Sequence, residues 1–191
     1  MDVQVSETLR INFELGPDDI EYFRKRLSNA RRNRALRDDD RVILAAEALA
    51  VKALESNPPT FVVSRMLTLQ NMVDMLKDRD WSLENDDRDR VLEVLAYFAD
   101  PNDIIPDELP GIGFLDDTIM IDLASIDLAP ELEAYAEFCA NRDDLAAKMA
   151  DAQPLKVARD ELQSRMRRRR RRRAGGASSG TDIITSLFHA G

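Results

Sequence analysis

Between Thr60 and Lys77 apolar residues recur at helical spacing: Val62, Met66, Leu69, Met72 and Leu76 are separated only by intervals of three or four. A run of this kind hides its apolar side as a helix packed on other helices. Asn57-Pro58-Pro59 breaks the chain just before it, and Lys77 to Trp81 returns to charge and loop character. This is the most apolar of the expected helices and is expected to run through the middle of a core, with Met66, Met72 and Met75 as fillers.

The same pattern repeats on both sides. Gly16-Pro17-Asp18-Asp19 reads as a helix start, and a basic helix follows to about Leu36. Its arginines are expected to form a solvated face matched to acidic neighbours such as Asp38-Asp39-Asp40, which open a second helix. A fourth helix is expected over about Asp86 to Ala99, a fifth over about Phe114 to Leu128, and a sixth opens near Pro130. A further helix from about Arg142 is interrupted near Pro154 and leads into Arg165–Arg173. Trp81, in an acidic loop, is expected to pack over a helix end. Leu9 to Leu15 alternates apolar and polar residues and reads as a short strand or extended arm. The expected class is all-α: a compact bundle of five to six helices, with a short N-terminal extended arm and a disordered basic C-terminal tail.

Composition narrows the chemistry. Cys139 is the single cysteine, which excludes an internal disulfide and fits a reducing, cytoplasmic setting. His189 is the single histidine, which argues against His–Cys zinc sites and against Ser-His-Asp or Cys-His catalysis within the chain. A metal here would be a hard, oxygen-ligated ion such as magnesium or calcium. No signal peptide and no transmembrane segment is expected, because the apolar runs are too short.

Charge is unevenly distributed. Residues 1–164 carry 19 basic and 35 acidic side chains, whereas 165–191 carry 8 arginines and one aspartate. The expected organisation is therefore a helical domain over 1–164 and an Arg-rich flexible tail over 165–191. Arg167, Arg168, Arg169, Arg170, Arg171, Arg172 and Arg173 precede a Gly/Ser-rich linker and a short apolar segment ending at Phe188. Such a run could meet a protein, non-specific nucleic acid, an anionic membrane surface, or this chain's own acidic body. Without interleaved aromatics it cannot stack bases, so any nucleic-acid contact is expected to be non-specific.

The most specific segment runs from Pro101 to Asp117. Pro101 ends the fourth helix, while Pro106, Pro110, Gly111 and Gly113 make a stiff connector, expected to be tied down by Ile104, Ile105, Leu109 and Ile112. On a helical wheel Asp116 and Asp117 fall within the apolar sector of the fifth helix, where a carboxylate is costly unless bonded or paired. Two accounts follow. In one, Asp116 and Asp117 accept first-turn amides and Asp103 and Asp107 cap turns; in the other, the four converge on a divalent cation or a basic residue. Helix capping is the preferred account.

With its pattern of Pro101, Asp103, Ile104, Ile105, Pro106, Asp107, Pro110, Gly113, Asp116 and Asp117, this segment resembles the core motif of the YkvA-like family, domain of unknown function 1232. Asn102 and Glu108 stand where relatives often have apolar residues. The likeness spans about residues 95–124 of the 1–164 domain. It implies a recognised domain without a settled biochemical activity. The expected role is a non-catalytic interaction or scaffold module with an electrostatic C-terminal anchor. The alternative is a metal-dependent hydrolase using Asp103, Asp107, Asp116 and Asp117. Some relatives occur in membrane contexts; here Asp116, Asp117, Asp122 and Asp127 interrupt the apolar segment, which leaves peripheral association at most.

Overall fold

Short breaks set where each helix begins and ends. Asp38 caps α2 (Asp39–Glu55), its Oδ1 accepting the Asp40 amide at 3.3 Å. Pro58 and Pro59 separate α2 from α3 (Thr60–Lys77), and Asn57 takes a left-handed φ of 55° in the turn between them. In this computed structural model the described residues are 14–33, 38–100, 104–109, 112–147 and 153–175. The remaining helices are α1 (Pro17–Asn33), α4 (Asn85–Leu95) with a closing 3-10 turn over Ala96–Ala99, α5 (Leu115–Asp127), α6 (Ala129–Ala147) and α7 (Gln153–Gly175). The all-α class holds, with seven α-helices and no strand among the described residues. The expected arm over Leu9–Leu15 falls almost wholly outside them.

The helices α2 and α3 pack side by side, and α3 also packs on α5. At the other side α1 lies against α4 and the 3-10 turn, while α6 and α7 form a pair. Met66, Met72 and Met75 are fully buried, as expected. The helix buried over most of its circumference is α5, with Asp116 through Ile121 all inside. Its polar sector is only partly exposed: Asp122 receives a two-pronged contact from Arg65 of α3, Nε to Oδ1 at 3.2 Å and Nη2 to Oδ2 at 3.2 Å.

Two local expectations are corrected. Trp81 does not lie over a helix end; it is fully buried, with its ring centroid 5.1 Å from Phe138 and 5.8 Å from Tyr135, both on α6. Its loop is drawn inward by Asp78, whose Oδ1 accepts the Asp80 and Trp81 amides and whose Oδ2 accepts the Tyr135 hydroxyl and Arg142. Burial pushes the Asp78 carboxyl up, but the Trp81 amide, Arg142 and Tyr135 together hold it below its ordinary value. Asp39 is approached by Arg88 of α4 at 3.7 Å, and Arg24 of α1 approaches Asp127 at 3.9 Å.

The second concerns the basic run. Residues 165–175 are not a flexible tail but the last turns of α7, which opens with Pro154 in its first turn. Arginine is a good helix former, and basic side chains in a last turn complement the helix dipole. Repulsion within the run is offset by acidic side chains on α4 and α6. The segment 176–191, including the apolar stretch ending at Phe188, lies outside the described residues.

Candidate functional site

The motif loop is held by polar clips more than by its apolar residues. Leu109 and Ile112, expected as anchors, are exposed, and only Ile104 of the four packs against the core. The loop turns through two backbone bonds, Leu109 N–H to Pro106 O at 3.1 Å and Gly113 N–H to Leu109 O at 2.9 Å. At Gly113 the chain passes so close that a Cβ would stand 2.3 Å from the Asp107 carbonyl oxygen, so only glycine fits.

Asp116 makes the first clip. Its side chain reaches back across the loop, and Oδ2 accepts the amides of Ile104 at 3.0 Å and Ile105 at 3.2 Å. The acceptor role expected of this carboxylate is real, but the amides come from the preceding loop. Asp116 is 1% exposed, and Oδ1 has no hydrogen-bond partner. Burial therefore raises its carboxyl above the ordinary range, against the pull of the Ile105 and Ile104 amides and those of Asp116 and Asp117. Asp117 is buried too and is held by an interaction of its own.

Lys52 makes the second clip. Projecting from the last turn of α2, its Nζ donates to Asp107 Oδ2 at 2.7 Å and lies 3.6 Å from Glu108. The hydrogen bond to Asp107 raises the lysine above its ordinary value, with burial opposing. Asp107 thus meets the basic residue that one of the two accounts allowed, and Asp116 does not share it. Between this loop and the Ser56–Pro59 turn lies a groove of about 720 Å³, with Lys52, Asp107, Leu109 and Phe114 among its lining residues. The Ser56 hydroxyl in its wall is engaged, donating to Ala53 O at 2.7 Å. Among the described residues no three His, Cys, Asp or Glu side chains gather as a metal ion requires. Pro101, Asp103 and Pro110 lie outside those residues, and Pro106 is exposed at the loop's surface.

The structure divides the arginine run by helix face. Leu155, Leu162 and Met166 mark the inner side of α7, and Arg170 follows Met166 at the next interval of four. Arg170 Nη1 lies between Asp87 Oδ1 at 2.8 Å and Glu131 Oε1 at 3.0 Å, while Arg167 Nε donates to Asp87 Oδ2 at 2.6 Å. Glu131 is wholly buried; it also accepts Arg90 Nε at 3.1 Å, and its Oε2 has no partner. Desolvation acts to lower Arg170, but the hydrogen bonds it donates to Asp87 and Glu131 prevail and raise it. At the flanks Arg165 pairs with Glu137 at 3.1 Å and Arg169 with Glu133 at 3.0 Å, and Arg173 reaches Ile126 O at 3.4 Å. Arg168, Arg171 and Arg172 face water without an ion-pair partner among the described residues.

Lys52, Asp87, Arg90 and Glu131 were not among the residues the sequence singled out. For Arg170 a signal existed: the interval from Leu155 through Leu162 and Met166 continues to it. For Lys52 and Glu131 no local signal exists, because their partners lie 55 and 39 residues away.

The Asp116 clip predicts a contrast between two substitutions. Asp116→Ala strips two amides of their acceptor and is expected to lower stability by about 2 kcal/mol. Asp116→Asn keeps a carbonyl acceptor and is expected to cost less than about 1 kcal/mol. The raised carboxyl also sets a sign: its contribution is full below the unfolded value near about 3.9 and is lost as pH rises through the higher folded value. Urea melts between about pH 3 and 7 should show that falling limb in the wild-type chain and lose it in Asp116→Asn.

These features define a class: a helical bundle built around a proline-braced loop that a buried aspartate clips to the following helix. Residues 91–122 match the family described as a protein of unknown function (DUF1232), in agreement with the YkvA-like resemblance of the motif. The matched stretch contains Asp107, Gly113, Asp116 and Asp117 but neither Lys52 nor any part of α7. No curated protein and no solved structure matches the chain.

Proposed function

We propose that this chain is a non-catalytic interaction module that docks on anionic groups through the outward arginines of α7. The observation that carries the reading is the split of the run, which leaves Arg168, Arg171 and Arg172 exposed on one helix face. The motif carboxylates support it, since Asp116 and Asp107 are engaged in holding the loop. The single cysteine is consistent with a reducing, cytoplasmic setting.

The test uses the full chain and heparin-agarose as a polyanion. Arg168→Gln/Arg171→Gln/Arg172→Gln is expected to elute at clearly lower salt than wild type with an unchanged melting temperature, because screened surface contacts bind but contribute little to folding. Wild-type and triple-variant chains eluting together would overturn the docking reading.

A further inference from the structure

The outward face of α7 carries both signs of charge, arranged in order. At 100° per residue, Asp160, Glu161 and Ser164 on the first half share one stripe, about 120° wide, with Arg168, Arg171 and Arg172 on the second. All six are exposed. Among the described residues Glu161 and the three arginines have no ion-pair partner; Asp160 gives only Oδ1 to its neighbour Arg159, at 2.8 and 3.0 Å. The stripe is thus acidic toward the helix start and basic toward its end.

A surface with that order is complementary to itself when reversed. We propose that two copies of this chain associate through α7, packed antiparallel about a twofold axis at the level of Met166. A twofold interface requires that if one residue meets a second, the second meets the first. Reversal at Met166 sets Asp160 beside the second copy's Arg171 and Glu161 beside its Arg172, with Ser164 opposite Arg168. It also sets Val157, 60% exposed and apolar, against Gly175, around which a side chain would meet open space. The small residue stands where the apolar one needs room. This rests on the docking reading, since it uses the same three arginines, and it names their partner: acidic side chains of a second copy.

Contact along one helix pair, made largely of screened surface charge, gives weak and salt-sensitive association. The net charge of −9 on each copy opposes it further. The test is sedimentation velocity on the full chain over a concentration series at low and high salt. The wild-type chain is expected to shift from monomer to dimer with concentration at low salt and to remain monomeric at high salt. Asp160→Arg/Glu161→Arg and Arg171→Glu/Arg172→Glu are each expected to be monomeric, with helical content by circular dichroism checked in both. Mixed one to one, the two variants are expected to form a heterodimer, because every pairing is again complementary. That rescue is not expected of a merely structural defect.

A wild-type chain monomeric throughout, or a dimer indifferent to both variants, overturns the proposal. The heparin experiment separates the two readings. A monomer whose triple variant still loses heparin retention sinks the self-association and keeps the docking face for another anion; a monomer with unchanged retention sinks both.

Discussion

Arg170→Met is expected to lower the stability of the fold by about 3 kcal/mol, at the low end for loss of one partner from a buried ion pair. The side chain serves two carboxylates at once, Asp87 and Glu131, and neither has access to water that could replace it. Glu131 would keep Arg90 and Asp87 would keep Arg167, so the loss is partial and not that of an isolated charge. Arg168→Met, two residues earlier on the outer face, is expected to change stability by less than about 0.5 kcal/mol. Urea melts of the two variants check the pair. Equal small effects would show that α7 does not depend on the inward arginine. A second comparison isolates the electrostatics: Glu131→Gln in the Arg170→Met background should cost less than in the wild-type chain, because the carboxylate it removes has lost a counter-ion.

Gly113→Ala is expected to be nearly as costly. The added Cβ meets the Asp107 backbone, with the carbonyl carbon at 2.7 Å as well as the oxygen at 2.3 Å, and backbone atoms cannot rotate aside as a side chain does. Forced displacement of a packed segment costs roughly 1–3 kcal/mol. Moving Asp107 also pulls its carboxylate from Lys52, which adds up to about 1 kcal/mol. Gly16→Ala supplies the control: its nearest neighbour is a side-chain oxygen of Asp19 at 3.6 Å, an ordinary contact, and little change is expected. Thermal melts give the stability. Amide exchange at Ile104 and Ile105 shows whether the Asp116 clip opens with the loop; protection retained in Gly113→Ala would mean that the loop absorbs the methyl without moving.

Both predictions rest on features that the sequence disclosed only halfway. The apolar intervals of α2, α3 and α5 gave the class and most helix limits, because a 3.6-residue period is written in consecutive residues. Asp38 and the prolines near residues 17, 58 and 130 marked helix starts for the same local reason. The wheel placed Asp116 inside the apolar sector and so required a bonded acceptor, yet it could not say whose amides would be accepted. Charge content gave the wrong state for residues 165–175. Seven adjacent arginines read as a flexible run with this chain's own acidic body as only one of its possible partners, until the carboxylates on α4 and α6 are brought alongside.

By itself, then, the sequence determined the helical class, the braced loop between Pro101 and Asp117 with its family likeness, and the demand that its buried aspartates be satisfied. Those properties depend on neighbours a few residues apart. Only the tertiary structure decided that Ile104 and Ile105 answer Asp116, that Lys52 answers Asp107, and that Arg167 and Arg170 turn inward while Arg168, Arg171 and Arg172 do not. The reason is physical. A charged side chain is stable in water or beside an opposite charge, and which of the two it meets is fixed by elements distant in the chain.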